Sequence, residues 1–157
     1  MDKREVARVL QEIGLLLQIK GENPFKIRAY ERGARAIEML DEDLNALVTE
    51  KRLSEIDGIG KTLEQKIEEL VSTGRLGYYE ELKREFPETL FDLLKIPGLG
   101  PKRVHTLYSK LGISTIGELE YACMENRLLT LPGFGRKVQS NILKGLEYLK
   151  RYRDNFL

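Results

Sequence analysis

Three short stretches of this chain carry residue types suited to holding an anion: Ile56-Asp57-Gly58-Ile59-Gly60-Lys61, Ile96-Pro97-Gly98-Leu99-Gly100-Pro101-Lys102 and Leu131-Pro132-Gly133-Phe134-Gly135-Arg136-Lys137. Each runs apolar, any residue, glycine, apolar, glycine, with a basic residue close behind. Glycine tolerates positive φ and has no side chain, so such a turn lets two helices meet tightly while bare backbone N–H groups face outward at the start of the second. The partial positive charge of that helix start favours an anion, and the following Lys or Arg adds full charge. The candidate phosphate contacts are therefore Gly58, Gly60 and Lys61 in the first turn, and Gly98, Gly100, Lys102 and Arg103 in the second. Gly133, Gly135, Arg136 and Lys137 complete the set in the third.

Such turns need helices on both sides, and the apolar residues fall at helical spacing almost throughout. Val6, Val9, Leu10, Ile13, Leu16 and Leu17 form one stripe, and Ile27, Tyr30, Ala34 and Ile37 another. No clean strand alternation is sustained. Asn23-Pro24 supplies an N-cap and a first-turn proline, Pro87 and Pro101 are placed to open helices in the same way, and Thr115-x-x-Glu118 fits a capping box. The expected fold is all-α, a bundle of about ten short helices and no sheet. Three copies of one helical hairpin lie in two subdomains, 1–86 with the first copy and 87–157 with the second and third.

With 26 Lys plus Arg against 25 Asp plus Glu, the net charge of +1 gives no bulk attraction for a polyanion. The charge is uneven, however: 1–80 holds 13 basic and 16 acidic residues, and 81–157 holds 13 and 9. Nucleic-acid binding must therefore be local to the hairpins. One cysteine and one histidine exclude an internal disulfide and a zinc set, and point to a reducing, cytoplasmic setting. The longest apolar run is too short to cross a bilayer, so no membrane partner is expected. Asp41-Glu42-Asp43 is no calcium loop, because Ala46 stands where the bend needs glycine and Arg52 where a bidentate Glu belongs. Gly60-Lys61-Thr62 is no P-loop, because Glu55 stands where its first glycine belongs.

Each turn has an apolar residue two places before its first glycine (Ile56, Ile96, Leu131) and an amphipathic helix after it. This resembles the helix-hairpin-helix DNA-binding motif, which reads the backbone rather than the sequence. The motif's small residue after the second glycine is replaced by Glu64, Val104 and Gln139. Upstream lies Asn23-Pro24-Phe25-Lys26-Ile27-Arg28-Ala29-Tyr30. Together with Ile-Pro-Gly-Leu-Gly-Pro-Lys and Leu-Pro-Gly-Phe-Gly, it makes essentially the whole chain resemble the N-terminal region of a bacterial X-family DNA polymerase.

That resemblance implies a lyase-like small domain followed by a fingers-like domain, with palm and nuclease domains of the same polypeptide as partners beyond Arg151–Leu157. It implies DNA as the ligand, gapped, nicked or carrying a 5′-phosphate, in base excision repair. By the same likeness Lys26 and Tyr30 line a 5′-phosphate pocket. Lys66 matches a nucleophilic lysine able to form a Schiff base with an abasic-site aldehyde. Thr62, Phe25 and Tyr78 stand where the family has a lysine, a histidine and a lysine. No cofactor is required, but the family holds K+ or Na+ on hairpin carbonyls matching Ser54, Ile56 and Ile59, and Leu94, Ile96 and Leu99. Three functions follow as expectations: a sequence-independent DNA-binding module, a 5′-deoxyribose-phosphate lyase, and a protein-interaction scaffold in which the turns only cap helices.

Overall fold

The computed structural model describes the backbone of residues 1–156 and the side chains of residues 1–154; Leu157, the end of the predicted 87–157 segment, lies outside the described residues. The described residues form nine α-helices and two 3₁₀ turns, with no strand among them. The chain divides into two compact units, Met1–Glu85 and Phe86–Leu157.

The first unit is built on α1 (Lys3–Lys20) and α2 (Pro24–Glu38), packed along the two apolar stripes. Val6, Leu10, Ile13, Leu17, Ala34 and Ile37 are essentially inaccessible. Gly21 ends α1 in the left-handed region at φ 84°, and the Asn23 side chain accepts from the Phe25 N–H at 2.7 Å, so the chain reverses within a few residues. Short α3 (Leu44–Thr49) is capped by Asp43. That acidic stretch is also tied down by the Arg52 guanidinium, which contacts Glu42, Glu50 and Glu55. A 3₁₀ turn (Leu53–Glu55) leads into the first glycine turn, then α4 (Lys61–Thr73) and α5 (Gly77–Arg84). A Cβ at Gly33 of α2 would lie 2.5 Å from the Leu63 side chain, so that glycine sets how closely α4 approaches α2.

The second unit runs through α6 (Leu90–Leu93), α7 (Pro101–Leu111), α8 (Ile116–Met124), a 3₁₀ turn (Arg127–Thr130) and α9 (Arg136–Phe156). Leu90, Leu93, Ile96, Val104, Leu107, Leu119, Leu128 and Leu146 form its core. The Thr115 hydroxyl accepts from the Glu118 N–H at 3.0 Å. In return the Glu118 carboxylate accepts from the Ser114 N–H at 3.0 Å, one residue earlier than the usual box. That backbone bond, with the Thr115 hydroxyl, holds Glu118 below the usual carboxylate range.

One expectation about the helices needs correction. Pro101 opens α7, but Pro87 opens none: its carbonyl accepts from the Leu90 N–H at 3.1 Å, making a tight turn that precedes the four-residue α6. The longest helices are α1 with 18 residues and α9 with 21. Their apolar stripes continue past Gly14 and Gly145 with no proline to end them sooner.

Candidate nucleic-acid interface

The three glycine turns fold alike. In each, the first glycine lies in the left-handed region, with φ of 99° at Gly58, 84° at Gly98 and 80° at Gly133. The apolar residue between the glycines donates its N–H to the apolar residue three earlier: Ile59 to Ile56 at 3.2 Å, Leu99 to Ile96 at 3.1 Å, Phe134 to Leu131 at 3.2 Å. Those middle residues are buried, at 7%, 4% and 5% exposure, and so anchor each turn in its unit's core. A 3₁₀ turn or the very short α6 precedes each turn, and a longer helix follows.

The second glycines differ in kind. Gly60 and Gly100 have φ of −86° and −94° with ψ near 180°, a conformation open to any residue, and Gly135 is not in the left-handed region. A Cβ at Gly60, Gly100 or Gly135 would touch no atom of the chain within 4 Å. Neither backbone strain nor internal packing therefore requires glycine there. What its absence of a side chain does is leave the first N–H groups of the following helix uncovered, and neither α4 nor α7 has a side-chain cap to occupy them. Gly58 is different, since a Cβ there would lie 3.6 Å from the Ala36 side chain and from the Arg32 carbonyl, placing the first turn against α2.

Lys61, Lys102, Arg103, Arg136 and Lys137 are all exposed beside these openings. Among the described residues none of the five pairs with a carboxylate, whereas Arg52, Arg75, Lys20, Lys95 and Lys150 do. Arg103 instead donates to the Gly98 carbonyl at 3.4 Å, which lays its guanidinium along the second turn. The carbonyls of Ile56 and Ile96 each accept one turn bond, which leaves each a second lone pair.

A second cluster lies in the first unit, where α2, α4 and α5 meet. The structure brings together three residues singled out from sequence, Lys26, Tyr30 and Lys66, and the residue that gathers them is Tyr78. Its ring lies nearly parallel to Tyr30, with 6.3 Å between centroids and 5° between planes. The Lys66 ammonium sits 4.6 Å from the Tyr78 centroid and that of Lys26 sits 5.9 Å away. Burial of the Lys66 amine, helped by the Lys26 charge and opposed by Glu69, holds it below the usual lysine range. Burial, with the neighbouring Tyr78 and its hydrogen bond, pushes the Tyr30 phenol well above its ordinary value. Tyr30 is only 3% exposed, so it supports the cluster from beneath. Phe25, at the tip of α2, is 75% exposed with the Arg28 guanidinium 4.7 Å from its ring centroid.

Sequence reasoning noted Tyr78 only as standing where the family has a lysine and did not place it in this cluster. A lysine or arginine near an aromatic in sequence is a common coincidence, and residues 26, 30, 66 and 78 meet only through tertiary structure. It also missed the Gln139 side chain, 7% exposed, which donates to the Asn126 side chain at 2.9 Å and ties the 3₁₀ turn to α9.

Comparison with known proteins agrees with this geometry. Residues 1–76 match the family described as a helix-hairpin-helix domain, and residues 90–147 match the SAM-like helix-hairpin-helix tandem. This is a helix-hairpin-helix protein. The chain is 38% identical over 146 residues to the DNA polymerase/3′-5′ exonuclease PolX of Bacillus subtilis (strain 168), a match covering 93% of this chain and 25% of that protein. It is 32% identical over 98 residues to the Holliday junction branch migration complex subunit RuvA of Clostridium perfringens, covering 60% of this chain and 47% of that protein. The chain thus spans a quarter and about half of the lengths of these curated relatives. Within the helix-hairpin-helix class, its sequence is that of the helix-hairpin-helix region of an X-family DNA polymerase.

Proposed function

We propose that this chain binds DNA through its sugar-phosphate backbone, without reading base sequence, at gaps, nicks and 5′-phosphate ends. In this reading it is the DNA-holding part of a cytoplasmic X-family repair polymerase, working with palm and nuclease domains in base excision repair. One observation carries the reading: three alike turns keep a second glycine that neither φ nor internal packing demands, and at α4 and α7 it leaves uncapped helix N–H groups open beside cations that pair with no carboxylate. Backbone contacts of this kind position a duplex without specifying bases. Lys26 and the first turn would meet the downstream 5′-phosphate, with buried Tyr30 supporting Lys26 and Tyr78 from beneath, and the second and third turns the flanking backbone.

The first test is binding to one-nucleotide-gapped duplexes that differ only in a 5′-phosphate at the gap. Tighter binding to the phosphorylated duplex is expected. Equal binding would remove the end-recognition part and leave a general backbone binder. A K+ or Na+ ion on the carbonyls of Ser54, Ile56 and Ile59, or of Leu94, Ile96 and Leu99, would bridge turn and phosphate. DNA affinity should then fall when tetramethylammonium replaces K+ at constant ionic strength.

The gathering of Lys26, Tyr30, Lys66 and Tyr78 favours a second activity, 5′-deoxyribose-phosphate lyase chemistry. The neutral Lys66 amine would attack the C1′ aldehyde and lose water to an imine; loss of a C2′ proton then expels the C3′ phosphate, and water releases the sugar. Borohydride trapping of wild type but not of Lys66→Ala is the expected result. Equal trapping of both would place the chemistry elsewhere.

A further inference from the structure

Tyr78 is the third member of a stack whose chemistry concerns the Lys66 amine more than packing. A nucleophilic lysine must be held in one place and must also give up its proton. A carboxylate partner does the first at the expense of the second, because it stabilises the ammonium. The face of an aromatic ring also attracts an ammonium, but more weakly and without charge of its own. The structure gives Lys66 the ring, 4.6 Å from its nitrogen, and engages Glu69, the acid whose charge acts on it, elsewhere: Glu69 accepts the Gly77 N–H at 2.9 Å. That bond anchors the residue immediately before Tyr78, so one carboxylate places the ring at the start of α5.

We propose that Tyr78 is the positioning residue for Lys66: its ring, stacked on Tyr30 and fixed by the Glu69 bond to Gly77, holds the Lys66 amine in place without an acidic partner. This rests on the Schiff-base reading given above. The groups acting on Lys66 are Lys26 from α2, Tyr78 from α5 and Glu69 from its own helix, while Tyr30 of α2 stacks on Tyr78 and Lys20 of α1, paired with Glu85, acts on Tyr78. Two cations beside one ring repel each other, and the ring keeps them together. The site therefore stays positive toward an anionic substrate while the Lys66 amine deprotonates more easily than a solvated lysine.

The test uses the full chain as wild type, Tyr78→Phe and Tyr78→Leu, with circular dichroism confirming that each is folded. One sample has its lysines reductively dimethylated with 13C-formaldehyde and a borohydride, the Lys66 signal being assigned by its loss in Lys66→Arg, and trapping uses unmethylated protein. In wild type and Tyr78→Phe this signal should be displaced upfield by the ring current. In Tyr78→Leu the displacement should vanish, and trapping on a 5′-deoxyribose-phosphate duplex should fall about tenfold, the scale of a partly desolvated ring-cation contact. A Lys66 signal undisplaced in wild type, wild-type trapping by Tyr78→Leu, or a Phe variant as impaired as Leu would each overturn the proposal. A wild type that keeps the ring-dependent displacement yet fails to trap would overturn the Schiff-base reading and leave the hold on the amine standing.

Discussion

At the residue scale, the second glycines and Lys66 make separable predictions. Gly100→Asn introduces a good N-cap residue at an ordinary φ where a side chain meets no other atom, so the melting temperature should hold. The same side chain covers the open N–H groups, and DNA affinity should drop about tenfold or more, the worth of one charge-assisted hydrogen bond. Thermal melts beside fluorescence anisotropy decide it; unchanged affinity would make the glycine incidental. Lys66 has its own pH signature. Its folded pKa lies below the ordinary lysine value of 10.5, so the unfolded chain binds more protons between the two values and stability rises with pH across that window. Trapping by borohydride should likewise rise with pH and level off below 10.5, and a plateau only above that value would show an ordinary solvated amine.

At the element scale, much of the arrangement was legible. The spacing of Val6, Leu10, Ile13 and Leu17 marks a buried helix face, and Gly-apolar-Gly marks a turn, because both are local consequences of side-chain size and backbone freedom. What escaped is what depends on distant partners. Gly145, an unremarked glycine inside α9, would place a Cβ 2.8 Å from Ile96 Cγ2 and 2.9 Å from the Pro97 carbonyl oxygen. The second glycine turn rests on α9 at that point. Gly145→Ala should therefore destabilise the second unit by about 1–3 kcal/mol through overpacking, although alanine is the better helix former. Thermal unfolding measures it, and an unchanged or raised melting temperature would mean that the turn yields at no cost. Pro87, expected to open a helix, was misread for a similar cause: a proline marks where a helix can begin, and the following residues decide whether it does.

At the scale of the whole molecule, near-neutral net charge and uneven distribution predict how binding responds to salt. Residues 1–80 carry −3 and 81–157 carry +4, so attraction comes from a few placed cations rather than an extended basic surface. The affinity for duplex DNA should fall with added salt along a shallow slope set by the few phosphates engaged. Lys102→Glu should weaken binding to unrelated sequences by similar factors and reduce that slope, as anisotropy titrations at several salt concentrations would record. A loss confined to one base composition would contradict a backbone reader. No helix among the described residues is long and apolar enough to cross a membrane, so the charge pattern is not that of a spanning segment.

The contact at Gly145 also bears on what a bound duplex must do. Gly145 sits nine residues along α9 from Arg136, about 13 Å at the helical rise, so the rod that begins at the third turn also carries the second. Under the proposed reading such a mount would work as a gauge, with the spacing between the two anchoring points set by one helix; a backbone arriving with phosphates at another spacing would then be the partner that bends.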